Sequence, residues 1–298
     1  MSEIASRCGF VAVIGRPNVG KSTLVNALLG IKLSITSRRA QTTRDRILGI
    51  KTRSDGQIVL LDTPGLHRSE GRALNRYMNR SATGALEGAD LAVMVVEALK
   101  WTAEDDAVLA HLTGAGTPLL LVVNKVDLVA DKARLLPYLS QLAGRAAFVS
   151  VVPLSARRER DADRLADVIL AHLPEAAPIF PEDQYTDRSE RFLCAEIVRE
   201  KLIRLLGQEV PHRLAVEIET LEQRANDARI AARIWVESRG QKVIVIGRGG
   251  ERLKRVGTEA RRDIERLLGV HVHLELWVKV RSGWSDDERF LGELGYRE

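Results

Sequence analysis

"FVAVIGRPNVGKSTLVNALLG", residues 10–30, joins an apolar β-branched run to a helical pattern through a glycine-bounded loop. "FVAVIG" reads as a buried strand and "KSTLVNALLG" as the helix that follows it. Between them the chain fits G-x-x-x-x-G-K-[ST] at Gly15, Gly20, Lys21 and Ser22, in the strand–loop–helix setting that gives this pattern its meaning. Glycines let main-chain N–H groups turn inward around phosphate oxygens, and the helix N-terminus adds positive potential. Arg16, Pro17, Asn18 and Val19 then form the body of the loop, with Thr23 just inside the helix. Lys21 is placed to reach the β- and γ-phosphates, and the Ser22 hydroxyl to ligate Mg²⁺.

The same alternation continues through the first half of the chain. "IVLLDTPG", "LAVMVVEA", "PLLLVVNKVD" and "AAFVSVVPLSA" are near-continuous apolar runs, and "AEDDAVLAHLTG" and "RDADRLADVILAHL" are amphipathic helices between or after them. This pattern predicts an α/β, P-loop, doubly wound, mostly parallel sheet covered on both faces. Such sheets bind ligands beyond the carboxyl ends of their strands.

Three of those strand ends carry further chemistry. "LLDTPG" delivers Asp62, a carboxylate suited to Mg²⁺ through water, followed by Thr63, Pro64 and Gly65, whose N–H can follow the γ-phosphate. "VVNKVD" delivers Asn124, Lys125, Val126 and Asp127. An aspartate there can accept from both N1–H and the 2-amino group of guanine, donors that adenine lacks, so an unpaired carboxylate rejects ATP. "PLSA" adds Ser155 and Ala156, whose N–H is read as donating to the guanine carbonyl. Together they specify GTP and GDP.

Composition limits the alternatives. The 298 residues suffice for two domains. Hydrophobic residues make up 45% and charged residues 29%, as in ordinary globular proteins. The two cysteines, Cys8 and Cys194, fit no metal or disulfide spacing. "MSEIASRCGF" lacks the form of a signal peptide, and no apolar run is long enough to span a bilayer. The expectation is a cytoplasmic protein.

Expected boundaries are a nucleotide domain over 1–175, a linker over 176–190 and a second domain with a C-terminal tail over 191–298. The second part mixes helices and alternating strands, which predicts a smaller α+β domain. The net charge of +5 comes from residues 1–180, with 23 Lys+Arg against 18 Asp+Glu; the remainder is balanced at 22 each. Basic charge is nevertheless concentrated locally, with eight Lys/Arg against four acids across 242–266. Within that stretch "VIVIGRGGERLKRVG", 243–257, holds a second glycine turn, without the Gly-Lys-Ser ending of the first. "QKVIVIG" reads as a short strand before it. Gly247, Arg248, Gly249 and Gly250 fit the G-x-x-G loop of a K-homology fold, which presses its backbone against a nucleic-acid chain beside an apolar groove. Arg252, Lys254 and Arg255 on the following helix suit phosphate contacts. Trp235 and Trp277, in alternating strands, are expected in the core.

On "GRPNVGKS", "DTPG", "NKVD" and "SA" the chain resembles the translation-factor-class GTPases related to Ras, over residues 10–172. "SITSRRAQTTRDRILGI", 34–50, is similar to the first switch of bacterial ribosome-assembly GTPases. That resemblance makes Thr43, rather than Thr42, the residue that closes on Mg²⁺ when GTP is bound, and so part of the catalytic set. Leu66 stands where Ras-like enzymes place a water-orienting glutamine, which implies slow intrinsic hydrolysis. Asn18 matches an asparagine that in some relatives coordinates K⁺ beside the phosphates. With "IGRGGERLKRVGTEAR" and "VRSGWSDDERFLGELGY" included, nearly the whole chain resembles the Era family, bacterial GTPases with a C-terminal K-homology domain. The resemblance implies binding near the 3′ end of small-subunit ribosomal RNA, a role in assembling that subunit, and loose contact with the inner membrane. A monomer is expected.

Overall fold

The computed structural model describes residues 6–35, 44, 47–63, 73–74, 77–78, 84–206 and 214–295. Its N-terminal half is built on six strands: β1 (Arg7–Ile14), β2 (Ile47–Arg53), β3 (Gly56–Asp62), β4 (Leu91–Glu97), β5 (Leu119–Asn124) and β6 (Phe148–Pro153). Their order is β2-β3-β1-β4-β5-β6, with all neighbours parallel except the β2/β3 pair. Period-2 side-chain alternation sends successive apolar residues to opposite faces. Val11, Val13, Leu60, Val93 and Val122 pack with α1 (Lys21–Leu29) and α4 (Glu159–His172). Ala12, Ile14, Met94, Leu121 and Val123 pack with α2 (Ala103–Gly114) and α3 (Leu135–Ala143). Burial on both faces is why these strands read as unbroken apolar runs.

Parallel register aligns the strand ends that matter. Val13 pairs with Asp62, Ile14 with Met94, and Glu97 with Asn124, so the three motif-bearing strands finish on one edge of the sheet.

The chain divides into two compact units, Met1–Ser69 with Met78–Asp187, and Glu70–Tyr77 with Arg188–Glu298. Residues 70–77 thus cluster with the C-terminal unit, where the Ala73 N–H donates to Asp286 Oδ1 at 3.2 Å. Much of the stretch read as a linker is docked rather than free. Fully buried Gln57 accepts from the N–H groups of Ile179 and Phe180 at 2.9 and 3.0 Å and donates to the Phe180 carbonyl at 2.9 Å. The Ile50 N–H donates to the Tyr185 carbonyl at 2.8 Å, and Thr186 Oγ1 to the Leu48 carbonyl at 2.6 Å. The segment therefore supplies partners that edge strand β2 would otherwise lack.

The C-terminal unit runs α5 (Glu190–Leu205), β7 (Leu214–Gln223), β8 (Asp227–Val236), α6 (Arg239–Ile246), α7 (Glu251–Leu268), β9 (His271–Val280) and α8 (Glu288–Glu293). Its sheet has the order β7-β8-β9, antiparallel then parallel, and shares a core with α5, α6 and α7. "KVIVI" is not a strand but part of α6. The Ser238 side chain caps that helix by accepting from the Gln241 N–H at 3.3 Å, while Val245 is buried and Val243 is exposed. Capping and one-sided burial override the β-branched composition. Trp277 is not in the core. On β9, Val272, Leu274, Leu276 and Val278 face inward, so the intervening Trp277 faces out and is 42% exposed. Trp235 is only half-buried, donating to Glu217 Oε2 at 2.8 Å.

Candidate nucleotide site and nucleic-acid interface

The loop after β1 tolerates only glycine at its two ends. A Cβ at Gly15 would lie 2.4 Å from the Val95 carbonyl oxygen, and one at Gly20 (φ +104°) 2.4 Å from Asn124 Nδ2. Asn18, at φ 66°, turns the loop in the left-handed region. Lys21, at the start of α1, is buried and folds back over the loop, donating to the carbonyls of Gly15 at 2.8 Å and Arg16 at 3.1 Å. Burial lowers its pKa from 10.5 to about 8; the Asp62 charge opposes that fall and the Arg16 charge adds to it.

Arg16 is not aimed at a phosphate. Its guanidinium is buried and bonds Asp105 Oδ2 at 3.0 Å, with Glu97 at 3.7 Å. Asp105 also caps α2 through the N–H and hydroxyl of Thr102, both at 2.9 Å. Only the Arg16 backbone is left for the nucleotide-binding role expected from sequence.

The base loops are tied to the phosphate loop directly. Asn124 Nδ2 donates to the Val19 carbonyl at 2.8 Å. Lys125 (φ 65°) donates from Nζ to the Asn18 carbonyl at 2.7 Å and to Glu97 Oε2 at 2.8 Å. Asn124 Oδ1 accepts from the N–H groups of Lys125 at 2.7 Å and Ala156 at 3.0 Å. The Ala156 amide, read from sequence as a donor to guanine, is here engaged by Asn124 and holds the two base loops together. Ser155 is buried, and its N–H donates to Asp161 Oδ2 at 2.8 Å. Asp127 is half-buried in a short 3₁₀ turn with Val126, beside this frame.

Asp62 is fully buried at the end of β3. Burial raises its carboxyl pKa, and the Ser34 hydroxyl, the Lys21 charge and the Ser22 hydroxyl oppose that rise. Those groups stand close, yet neither carboxylate oxygen makes a well-aligned hydrogen bond. A buried carboxylate short of partners, beside two hydroxyls, is an oxygen-rich donor set that fits a hard divalent cation such as Mg²⁺. Thr63 turns its hydroxyl inward to the Val13 carbonyl at 2.9 Å. Pro64, Gly65, Leu66 and Thr43 lie outside the described residues.

Glu97, Asp105 and Asp161 were missed by motif reading. Only Asp105 left a signal, as the fourth residue of a Thr-x-x-Asp capping pattern, "TAED".

In the C-terminal unit the second glycine loop links α6 to α7. Gly247, Gly249 and Gly250 have φ of 75°, 59° and 82°. A Cβ at Gly247 would lie 2.8 Å from Arg252 Cγ, whereas one at Gly249 or Gly250 would meet nothing within 4 Å. Beyond the loop, α7 and β9 enclose a groove of about 370 Å³ with Leu253, Leu274 and Leu276 in its walls and Lys254 and Arg261 at its rim. The predicted basic residues do not all face it. Arg248 is exposed in the loop, but Arg252 bonds the Ile244 carbonyl at 3.1 Å and Arg255 pairs with Glu259 at 2.9 Å.

Comparison with known proteins agrees with this two-part arrangement. A family model described as 50S ribosome-binding GTPase matches residues 10–125, and a KH domain model matches 209–285. GTPase Era of Stenotrophomonas maltophilia (strain R551-3) is 55% identical over 289 residues, 97% of each chain. GTPase Era of Xanthomonas axonopodis pv. citri (strain 306) is 55% identical over 298 residues, 99% of this chain and 100% of the relative. Two crystal structures superpose with a TM-score of 0.94 at 38% identity, over 98% of this chain and all of theirs. One is a single-substitution variant of Aquifex aeolicus Era bound to GDP·AlF4⁻; the other is Era in complex with MgGDPNP and nucleotides 1506–1542 of 16S ribosomal RNA. A glycine-bounded loop braced by the loops after β5 and β6 in one unit, with a K-homology fold in the other and relatives matched end to end, places this chain in the Era family of GTPases.

Proposed function

We propose that the chain is a Mg²⁺-dependent GTPase switch that binds the 3′ end of small-subunit ribosomal RNA and acts in assembling that subunit. The observation that carries the reading is the junction of the strand ends. Phosphate loop, buried Asp62 and base loops meet on one sheet edge, with Asn124 and Lys125 bonded to Val19 and Asn18. The Era structure that holds MgGDPNP with a 16S ribosomal RNA segment supports the same reading for this chain.

In this reading Gly15 to Thr23 wrap the phosphates, and Lys21 exchanges the Gly15 and Arg16 carbonyls for phosphate oxygens. Asp127 reads the guanine edge, while Asn124, Lys125, Ser155 and Ala156 fix its loop. Ser22, Asp62 and Thr43 hold Mg²⁺, which when bound neutralises charge on the β- and γ-phosphates. Gly65 tracks the γ-phosphate. Leu66 has no polar group with which to orient water, so intrinsic hydrolysis is slow. Asn18, exposed and with its carbonyl already engaged, offers its side chain to K⁺. In the second unit the backbone of Gly247–Gly250 meets the sugar–phosphate chain, Arg248 and Lys254 neutralise it, and the apolar groove takes bases. From family resemblance alone we also infer a cytoplasmic monomer in loose contact with the inner membrane.

Two measurements test the reading. Calorimetry should show GTP bound and ATP essentially excluded; equal affinities would refute the guanine assignment. Affinity for a 16S 3′-end RNA should differ between a non-hydrolysable GTP analogue and GDP, and identical values would refute the switch.

A further inference from the structure

Asn26 belongs to no motif, yet its side chain makes three hydrogen bonds to residues seven and eight positions on. Oδ1 accepts from the N–H groups of Leu33 at 2.9 Å and Ser34 at 2.8 Å, and Nδ2 donates to the Ser34 carbonyl at 2.8 Å. This is not helix capping. The end of α1 is already closed by Gly30, whose left-handed backbone lets its N–H reach the Asn26 carbonyl at 3.0 Å. Nor is it the sole anchor of the segment, since Leu33 and Ile35 are buried on their own account.

What the clamp fixes is Ser34. Its hydroxyl is buried, makes no well-aligned hydrogen bond, and stands against the Asp62 carboxylate. Asn26 lies four residues after Ser22 on α1, so it shares a helix face with that hydroxyl. Both backbone groups of Ser34 are tied to the helix whose first turn carries Lys21 and Ser22.

We propose that Asn26 is a positioning residue for the metal side of the nucleotide site: by tying both backbone groups of Ser34 to α1 it keeps the buried Ser34 hydroxyl beside Asp62, where rotation about its own Cα–Cβ bond lets it donate to that carboxylate and fix its orientation. The proposal rests on the guanine-nucleotide reading above. A carboxylate that serves a metal is steadied by hydrogen bonds from groups behind it, and loss of such a group typically costs about 10–100-fold in metal affinity or activity.

The test measures GDP affinity of the full chain in EDTA and in MgCl₂, for wild type, Asn26→Ala, Asn26→Asp and Ser34→Ala. Wild type should bind more tightly with Mg²⁺. In Asn26→Ala the affinity in EDTA should stay within about twofold while the Mg²⁺ gain shrinks by about tenfold. Asn26→Asp keeps the acceptor for Leu33 and Ser34 and should recover part of that gain. Ser34→Ala, which leaves the clamp intact, should lose part of it. Single-turnover GTP hydrolysis should fall in parallel with the Mg²⁺ gain. An Asn26→Ala protein with a lowered Tm but a wild-type Mg²⁺ gain would overturn the proposal. If Asn26→Ala does not fold, a wild-type gain in Ser34→Ala overturns it equally. Failure of the nucleotide reading is distinguishable, because then wild type itself would show no GDP binding or no Mg²⁺ gain.

Discussion

The Lys125 ammonium lies 2.7 Å from the Asn18 carbonyl oxygen, joining the loop after β5 to the glycine-bounded loop after β1 across 107 residues of sequence. Glu97 Oε2, 2.8 Å from the same ammonium, holds it in place; burial raises the Glu97 pKa, but the Lys125 hydrogen bond and charge outweigh that and lower it. Asn18 needs that support because its left-handed backbone, φ 66°, is unfavourable for a residue with a Cβ. A hydrogen bond to a charged group contributes about 1.5–3 kcal/mol. Lys125→Ala should therefore weaken GDP and GTP binding alike by about ten- to a hundredfold. Glu97→Gln, which leaves the Lys125–Asn18 bond possible, should lose less. Calorimetry on the two variants checks the order, and a larger loss in Glu97→Gln would remove the argument.

Lys21 gives the nucleotide site a pH signature. Burial leaves the free protein with a Lys21 pKa of about 8, below the usual 10.5. Phosphates require the ammonium form, so GDP affinity should hold steady below about pH 7.5 and fall as pH rises through about 8, approaching a factor of ten per unit. Stability of the nucleotide-free protein has the opposite sign. The unfolded lysine holds its proton up to 10.5, so the burial cost is fully present below pH 8 and is relieved between pH 8 and 10.5. Lys21→Met should remove both slopes together. A GDP affinity flat from about pH 7 to 9.5 in wild type would contradict the placement of this group.

Much of the nucleotide half was legible because phosphate and guanine chemistry constrains residue type at fixed spacing. Gly15 and Gly20 must be glycine for reasons visible in the fold, clashes at 2.4 Å with Val95 and Asn124. The braces behind the site were not legible. Asp105 lies 89 residues from Arg16, and Asp161 holds Ser155 from the next helix; such contacts have no spacing rule. The Ala156 N–H, which the motif offers to guanine, donates to Asn124 Oδ1 in the fold, and no spacing rule announces that competition. In the second half, "KVIVI" misled because β-branched composition mimics a strand, while the decisive signals were Ser238 before it and Gly247 after it. Trp277 misled because alternation fixes which residues share a face, not which face is covered. The membership of residues 70–77 in the C-terminal unit is tertiary, and no local signal marks it.

Substitution at Gly249 should separate RNA binding from nucleotide binding. A side chain there meets no neighbour, but the backbone is left-handed at φ 59°. Gly249→Ala should thus cost only the backbone strain, about 1 kcal/mol, in thermal stability. Gly249→Asp adds a carboxylate where the phosphate chain is expected, and should lower RNA affinity at least about tenfold below the alanine variant at low salt, with GTP affinity unchanged. The difference between the two variants should shrink as ionic strength rises, since it is electrostatic. Crosslinking in cells with sequencing of the attached RNA gives the parallel readout, and equal RNA recovery from wild type and Gly249→Asp would place the interface elsewhere.

Potassium dependence tests Asn18, the exposed side chain of the phosphate loop. The Asn18 carbonyl is occupied by Lys125 and its backbone is fixed in the left-handed region, so the side chain is held at the loop's outer surface. A monovalent cation held beside the phosphates would stabilise charge that develops during transfer, the work an arginine finger does in other GTPases. Na⁺ is smaller and more tightly hydrated, and a site sized for K⁺ does not strip its water. Single-turnover hydrolysis by wild type should therefore be faster in KCl than in NaCl at equal ionic strength. Asn18→Ala should lower the rate in KCl to the NaCl level while leaving GDP affinity within about threefold, because only the neutral side-chain contact is lost and the Lys125 bond to the main chain remains. Equal wild-type rates in the two salts, or a K⁺ preference that persists in Asn18→Ala, would show that this side chain holds no catalytic cation.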